Sequence, residues 1–540
     1  MSERRKAEAR RSMDLDADSR AALWLVAGLT LLRVIALFRT PLELYPDEAQ
    51  YWLWSRALAF GYHAKPPMIA WAIWASTALG GDDAPWVRMP AVLFQAGAAL
   101  CAYWIGRRLY GSKAGLAGAA LYALAPAVQL SATLVATEAP LLFFLGVTLC
   151  AYVALQEAQG RGRWLLSAGV GAALGLAFLS QYAAIYALIG IGLHLALSPA
   201  ARRGWTIASA GLATGVFAVV LAPHLAWNAA HGFATVRHAA DAGWVGHQLF
   251  SLKALGQFLI EQFAVFGPIP FAMLAAGAAI LAWRRRLEGG DLLLLCFTAP
   301  PILIVAVQAF IGHANATWSG TGYLPGAVLV AAWLIRWRTR RLLIAALAVQ
   351  GVIAAAFFAL VLQPRIADSL GQSKDLARAR GWDQTADIVV RKARAEAPRG
   401  LSAVAVNDPA LFGELAYYGR DYFKEPLAAP LKIWIRGMRA GSQVEASAPL
   451  TPADGQRVLV VAIEAWFDSE MARDFATTSG KELDDVFIDR KRQRNLEMFV
   501  GEGFKPRPRD PKTGHPAPEW TPAASAFPNS GPGAPQDEAP

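Results

Sequence analysis

About eleven runs of roughly 20 mostly apolar residues, the length that crosses a hydrocarbon core, occupy the first two thirds of the chain. They centre near Leu29, Gly97, Leu121, Gly146, Leu174, Ile189, Val216, Leu274, Ile304, Val328 and Ala354. The connectors "RRLYGSK" (107–113), "QEAQGRGR" (156–163), "SPAARRG" (198–204), "RRRLEGG" (284–290) and "RWRTRR" (336–341) are short and basic, and they alternate with the others. Eleven spans put them on one side with the Arg-rich segment 1–20, and the bias of Lys and Arg makes that side cytoplasmic. The opposite, periplasmic side receives 40–86, 131–140, 226–257 and "GHANATWSG" (312–320). An odd count also places everything after about Gln363 there.

From Pro364 the pattern becomes mixed, with alternating runs at "LSAVAVND" (401–408), "LKIWIRG" (431–437), "RVLVVAIE" (457–464) and "LEMFVG" (496–501). Period-two runs separated by helical patterns predict a small α/β domain over 363–504, and the Pro, Gly, Ala and Ser-rich tail 505–540 reads as disordered. The expected fold is mostly α: a polytopic bundle of about 11 transmembrane helices over 21–362, followed by that periplasmic α/β domain.

Composition agrees with a membrane chain: of 540 residues, 55% are hydrophobic and only 17% charged. The net charge of +10 falls in clusters at the span ends, which points to a membrane interface and away from nucleic acid. Cys101, Cys150 and Cys296 lie inside apolar runs, so no disulfide framework or metal-ligand spacing is expected. Ala21–Phe38 reads as a retained helix, with a signal peptide as the alternative.

The polar chemistry gathers in the outward loops. "ELYPDEAQYWLWSRALAFGYHAKPPMIAWAIWAS" carries aromatics and aliphatics three to four apart on either side of "GYHAKPP", which predicts amphipathic helices at the membrane surface. Asp47 and Glu48 open the first of these, where acids cap a helix or serve as a base. Lys65, held before two prolines, is either an interfacial anchor or a phosphate contact. Glu138 in "TEAP" stands close to the bilayer, where a charge must face water or a partner. The third loop holds His224, His231, Arg237, His238 and His247, five of its residues being cationic or titratable at neutral pH. No pair of these has the frame of a helical zinc site; Arg237 and His238 are the candidate phosphate contacts, and His313 beside Asn315 is a cap or a lining residue.

The stretches "PDEAQYWLWSRALAFGYHAKPPMIAWAI", "ATEAPLLFF", "LSQYAA", "PHLAWNAAHGFATVRH" and "ATWSGTGYLPGAVL" resemble, in order and spacing, the bacterial membrane glycosyltransferases of family 39. This is the GT-C superfamily, which includes protein O-mannosyltransferases and lipid A aminoarabinose transferases, and the resemblance spans about residues 21–362. It implies transfer of a sugar from a polyprenyl phosphate carrier to an acceptor on the outer face of the membrane, with inversion at the anomeric carbon. It also implies that Asp47 is the base or the acceptor-positioning carboxylate, with Glu48 beside it, and that Lys65 meets the donor phosphate. Two departures stand out. Glu138 falls where relatives commonly have Asp, and Ala64 follows His63 where the aminoarabinose transferases keep a metal-associated Glu. The second departure removes the obvious metal ligand, so no cofactor is certain, and a divalent cation is left His63, Asp47 or Glu138 as ligands.

The expected function is an inverting glycosyltransferase of the bacterial inner membrane. Its partners are a polyprenyl-phosphate-linked sugar, membrane lipid, and a lipid A or core, other envelope glycan, or protein acceptor. The alternative is a transporter or flippase of a lipid-linked sugar, for which the internal repeat and mid-membrane ionisable residues are missing from the sequence. A surface polysaccharide polymerase or ligase ranks below both, since the candidate residues are spread over three loops.

Overall fold

The computed structural model describes residues 16–241, 250–284, 287, 289–312, 314–369, 376–438, 440–463, 470–489 and 491–509. The chain divides into two compact units, Met1–Pro41 with Trp54–Ile366 and Leu42–Leu53 with Ala367–Pro540.

Eight helices of the first unit, among the described residues, are long and apolar enough to cross a membrane: Ala17–Arg39, Ala84–Tyr110, Glu138–Leu155, Gly160–Ser180, Ile207–Ala230, Gly289–Ile311, Ala316–Arg336 and Arg340–Leu362. The run near Leu274 is the second half of a pair, Leu252–Val265 and Pro268–Trp283, bent by 118°. Gly267, at φ 104°, and the prolines that follow it make that break. The runs near Leu121 and Ile189 form the shorter helices Ser112–Ala123 and Ile185–Leu197. The eleven apolar runs of the sequence thus become eight long spans, one bent pair and two shorter helices.

The helix Tyr323–Arg336 is buried on all sides from Tyr323 to Leu334, with Trp333 fully enclosed, as expected of a helix apolar all round. Ala84–Tyr110 and Ser112–Ala123 cross at backbone distance: a Cβ on Gly106 would lie 2.7 Å from Gly115 Cα. At the ends of two buried helices Arg336 grips Asp291 through two hydrogen bonds of 2.6 and 3.0 Å, and the Tyr110 hydroxyl donates to the same carboxylate at 2.8 Å. The acid lies in the first turn of its helix and the base in the last turn of its own, so both helix dipoles favour the pair. By contrast, Ile207–Ala230 and Arg340–Leu362 have only 17% and 22% of their apolar windows buried. Apolar helices with such bare faces are satisfied by lipid, with every backbone group bonded internally.

The second unit is built on a sheet of order β2-β1-β3-β6-β4, with β5 also on β6. Its strands are β1 (Ala403–Val406), β2 (Leu431–Ile433), β3 (Arg457–Ala462), β4 (Thr477–Thr478), β5 (Glu482–Phe487) and β6 (Gln493–Glu502). β1 runs parallel to β2 and β3, and β6 antiparallel to β3, β4 and β5. Side-chain alternation splits the core in two. Val404, Val406, Leu459 and Val461 pack with Trp382, Val389, Leu411 and Leu415, while Ala403, Ala405, Val458 and Val460 pack with Trp434, Met471, Phe475 and Phe504. The four alternating runs of the sequence are β1, β2, β3 and β6.

Two features of this unit were not legible as local pattern. Leu42–Leu53 packs here: the Leu44 amide donates to the Tyr418 hydroxyl at 2.7 Å, the Trp382 amide to Glu43 Oε2 at 2.6 Å, and Trp52 meets Tyr417 edge-on. Burial drives the Glu43 carboxyl above its ordinary range, and the Trp382 amide pulls part of the way back. The segment expected to open the tail is also anchored. Buried Asp474 accepts from Arg507 Nε at 2.7 Å and Trp434 Nε1 at 2.8 Å, and its carbonyl accepts from the Lys505 amide. Residues 510–540, the rest of the expected tail, lie outside the described residues.

Glu396 ends the helix Trp382–Glu396, where the dipole disfavours an acid, and is held there by Arg457 at 2.7 Å and Arg399 at 2.9 Å. The Arg457 hydrogen bonds outweigh burial and keep its carboxyl below the usual range. A depressed folded-state pKa contributes stability that is present above about pH 4.5 and lost as pH falls through the folded value. Glu396→Gln is therefore expected to destabilise the second unit by about 1–3 kcal/mol at pH 7 and by much less at pH 3, measured by hydrogen exchange of the β3 amides in the full-length protein.

Candidate active site

The "GYHAKPP" loop is fixed from several directions within the first unit. Tyr62, 2% exposed, stacks flat on Trp54 at 4.8 Å and donates its hydroxyl toward the Trp54 and Ala57 carbonyls, while the Ala59 amide donates to it at 3.1 Å. Its own amide donates to the Lys65 carbonyl at 3.2 Å, closing the turn that presents Lys65. The neighbouring residues are tied to the end of the span Ile207–Ala230 and to the helix Ala234–Asp241 that follows it. The Phe60 carbonyl lies 2.7 Å from His224 Nδ1, Thr235 Oγ1 donates to the Tyr62 carbonyl at 2.7 Å, and a Cβ on Gly61 would sit 2.4 Å from the Trp227 ring. A carbonyl can only accept, so His224 Nδ1 carries the ring proton and Nε2 accepts from the Tyr182 hydroxyl at 2.7 Å. His224 is 1% exposed, so this neutral ring ties three chain segments together.

These ties frame a cavity of about 760 Å³. Lys65, Glu138 and His238 line it, and so do Gln181, Tyr182 and Ser131. Apolar wall comes from Leu141 and Leu142 of Glu138–Leu155 and from Ile304, Val307 and Ile311 of Gly289–Ile311. Behind Trp318 and Tyr323, which also line it, Gln262 Oε1 accepts from Ser319 Oγ and the Tyr323 hydroxyl, bracing the 3-10 segment Ala316–Gly322. A cation, a carboxylate, neutral hydrogen-bonding groups and a long apolar wall suit an amphiphile with an anionic head.

Three of the predicted residues, Lys65, Glu138 and His238, therefore meet at one cavity. Glu138 is the first residue of its helix, at the positive end of the dipole. His238 lies on the helix Ala234–Asp241 with its ring 6.2 Å from that of His63. Arg237, one residue before it, is exposed and does not line the cavity. Asp47 and Glu48 belong to the segment grouped with the second unit, on the helix Pro46–Ser55. Asp47 is exposed there, and Glu48 is buried, accepting from the Tyr45 amide at 3.0 Å as a helix cap. His247 and His313 lie outside the described residues. Among the described residues no group of three or more His, Cys, Asp or Glu side chains is gathered to hold a metal, and the three cysteines are free thiols. Gln181, Tyr182 and Trp318 were not singled out by sequence reasoning, although each interrupts an apolar run with polar or aromatic residues in "LSQYAA" and "ATWSGTGY".

Residues 64–227 match the family described as dolichyl-phosphate-mannose-protein mannosyltransferase. The lipid A galacturonosyltransferase RgtD of Rhizobium johnstonii is 36% identical over 340 residues, 63% of this chain and 70% of that protein. The chain belongs to the GT-C membrane glycosyltransferases. The fold of this glycosyltransferase is shared with the crystal structure of ArnT from Cupriavidus metallidurans bound to undecaprenyl phosphate, at a TM-score of 0.63 and 16% identity, covering 90% of this chain and 98% of that one. The apo structure of the same ArnT gives 0.61 and 15%, over 88% and 97%. With its bare apolar helices, the enzyme is a multi-pass inner-membrane protein.

Burial raises the Tyr62 phenol to about 12, an effect the Ala59 amide only partly offsets. A raised folded-state pKa contributes stability that is complete below the ordinary phenol value and lost as pH climbs through about 12. Tyr62→Phe in the glycosyltransferase is expected to weaken the loop by about 1–3 kcal/mol at neutral pH and to remove one late-titrating phenol from an ultraviolet difference titration.

Proposed function

We propose that the enzyme moves a glycosyl group from a polyprenyl phosphate carrier to lipid A, on the periplasmic face of the inner membrane and with inversion. The single observation that carries this reading is the cavity that joins Lys65, Glu138 and His238 to a long apolar wall. A lipid-linked phosphate needs a cation at its head and hydrocarbon contact along its tail, and both line the same space. The relative that acts on lipid A and the neighbour bound to undecaprenyl phosphate support the acceptor and the carrier. Galacturonic acid is the sugar favoured by that relative, and it suits a cavity lined by Lys65 and His238. The basic connectors of the sequence support a cytoplasmic N-terminus with the loops and second unit outside.

In the proposed reaction the acceptor hydroxyl oxygen attacks the anomeric carbon as the bond from that carbon to the phosphate oxygen breaks. The hydroxyl proton passes to a carboxylate, and polyprenyl phosphate leaves with both bonding electrons. Asp47 is the proposed base, on the strength of its motif and its exposure, with Glu138 as the carboxylate of the cavity itself. A positioned base contributes about 10²–10⁴ in rate. Lys65 and His238 stabilise the departing phosphate, and exposed Arg237 adds positive charge on the same helix. The described residues assemble no metal-binding set, so no step is drawn through a metal.

Asp47→Asn is expected to abolish transfer in correctly inserted protein, and undiminished turnover would remove that residue from the mechanism. Lys65→Ala should lower kcat/KM by about 10²-fold or more, with Lys65→Arg retaining part of it. Mass spectrometry of lipid A from cells with and without the gene tests the whole reading: the expected loss is one hexuronic acid increment, and an unchanged lipid A profile would refute the acceptor.

A further inference from the structure

Beside the cavity lies a polar chain that the proposed reaction does not use. Tyr122 of Ser112–Ala123, Gln95 of Ala84–Tyr110 and Ser131 of Pro126–Ser131 are joined in sequence: the Tyr122 hydroxyl bonds Gln95 Oε1 at 2.7 Å, and Gln95 Nε2 bonds Ser131 Oγ at 2.7 Å. Gln95 is 0% exposed and Tyr122 1%, whereas Ser131 is half-buried and, like Tyr122, lines the cavity.

The direction of every hydrogen in this chain follows from its buried end. The Tyr122 hydroxyl has no other hydrogen-bond partner among the described residues, so its proton must go to the Gln95 carbonyl oxygen. Turning the amide round would leave a buried phenol proton with no acceptor, a heavy cost in a low-dielectric interior. With Oε1 accepting from Tyr122, the amide NH₂ must donate to Ser131 Oγ, and Ser131 is fixed as its acceptor. The Ser131 hydroxyl proton then has no acceptor among the described residues, and its side chain borders the cavity.

We infer that Tyr122 and Gln95 lock Ser131 as a hydrogen-bond donor into the cavity, where it binds an anionic oxygen of the lipid-linked sugar. The inference rests on the proposed function for the identity of that ligand. An anionic oxygen is the acceptor that fits, because Lys65, a cation, lines the same cavity and His238 offers it a further ring donor. The oxygen belongs either to the phosphate or to the uronate carboxylate. Ser131 is a binding residue, and Tyr122 and Gln95 are positioning residues that act through it.

The test uses the full-length protein in lipid nanodiscs, with Ser131→Ala, Ser131→Thr and Tyr122→Phe, thermal unfolding being checked for each. The probes are undecaprenyl phosphate alone for binding, and undecaprenyl phosphate carrying galacturonic acid or galactose for transfer. Ser131→Ala is expected to weaken the contact about tenfold or more, Ser131→Thr to retain it, and Tyr122→Phe to reproduce much of the loss by freeing Gln95 to turn. Weaker binding of undecaprenyl phosphate itself assigns the contact to the phosphate; a raised KM confined to the galacturonosyl donor assigns it to the carboxylate. Unchanged binding and unchanged KM in Ser131→Ala would overturn the inference, and a folded Tyr122→Phe with full affinity beside an impaired Ser131→Ala would overturn the lock. Failure of the unaltered protein to bind undecaprenyl phosphate or to transfer from either donor would instead sink the functional reading.

Discussion

The buried, neutral imidazole of His224 is the tie on which the site depends. One nitrogen fixes the Phe60 carbonyl and the other receives the Tyr182 hydroxyl, so a loop, a span end and a helix break are held to one point. Tyr62 extends the tie by bonding to the Lys65 carbonyl, and Thr235 fastens Tyr62 in turn. Without these bonds Lys65 would stand on a solvated loop, free to serve as the lipid anchor that its sequence position equally suggests. Ordered in this way, it presents a charge to a defined cavity, as the proposed stabilisation of a departing phosphate requires.

The membrane bundle was legible because lipid imposes a length and a composition that can be counted, and each of the eleven apolar runs corresponds to a helix. What counting could not separate was a full span from a short helix. Gly111 and Pro126 bound the run near Leu121, and the Gln181 break and Pro199 bound the run near Ile189, so both are too short to cross alone. In the second unit the period-two runs gave β1, β2, β3 and β6, whereas β4 is two residues long and β5 exposes nearly every position, leaving no alternation to read.

The site was legible in part, and for a physical reason. A polar or charged group next to a bilayer is conspicuous, so Lys65, Glu138 and His238 drew notice from their places in the outward loops. Ser131, Gln95 and Tyr122 did not, because a hydroxyl or an amide inside an apolar run becomes meaningful only when its hydrogen-bond partners are known, and those come from three different helices. Glu48 illustrates the reverse case. It is next to Asp47 and equally acidic, yet its carboxylate reaches back to cap its own helix while Asp47 remains exposed.

The second unit is discontinuous: Leu42–Leu53 belongs to it, yet the rest of its residues begin only at Ala367. On the ribosome that early segment is made long before Tyr418, Trp382 and Ala379, the groups that receive or supply its hydrogen bonds. Its apolar residues, among them Leu44, Ala49 and Trp52, must wait through the synthesis and insertion of the whole bundle before they are covered. Completion of this unit thus reports that every span has been laid down, and a chain stopped short leaves a greasy segment uncovered as a mark by which quality control could find it.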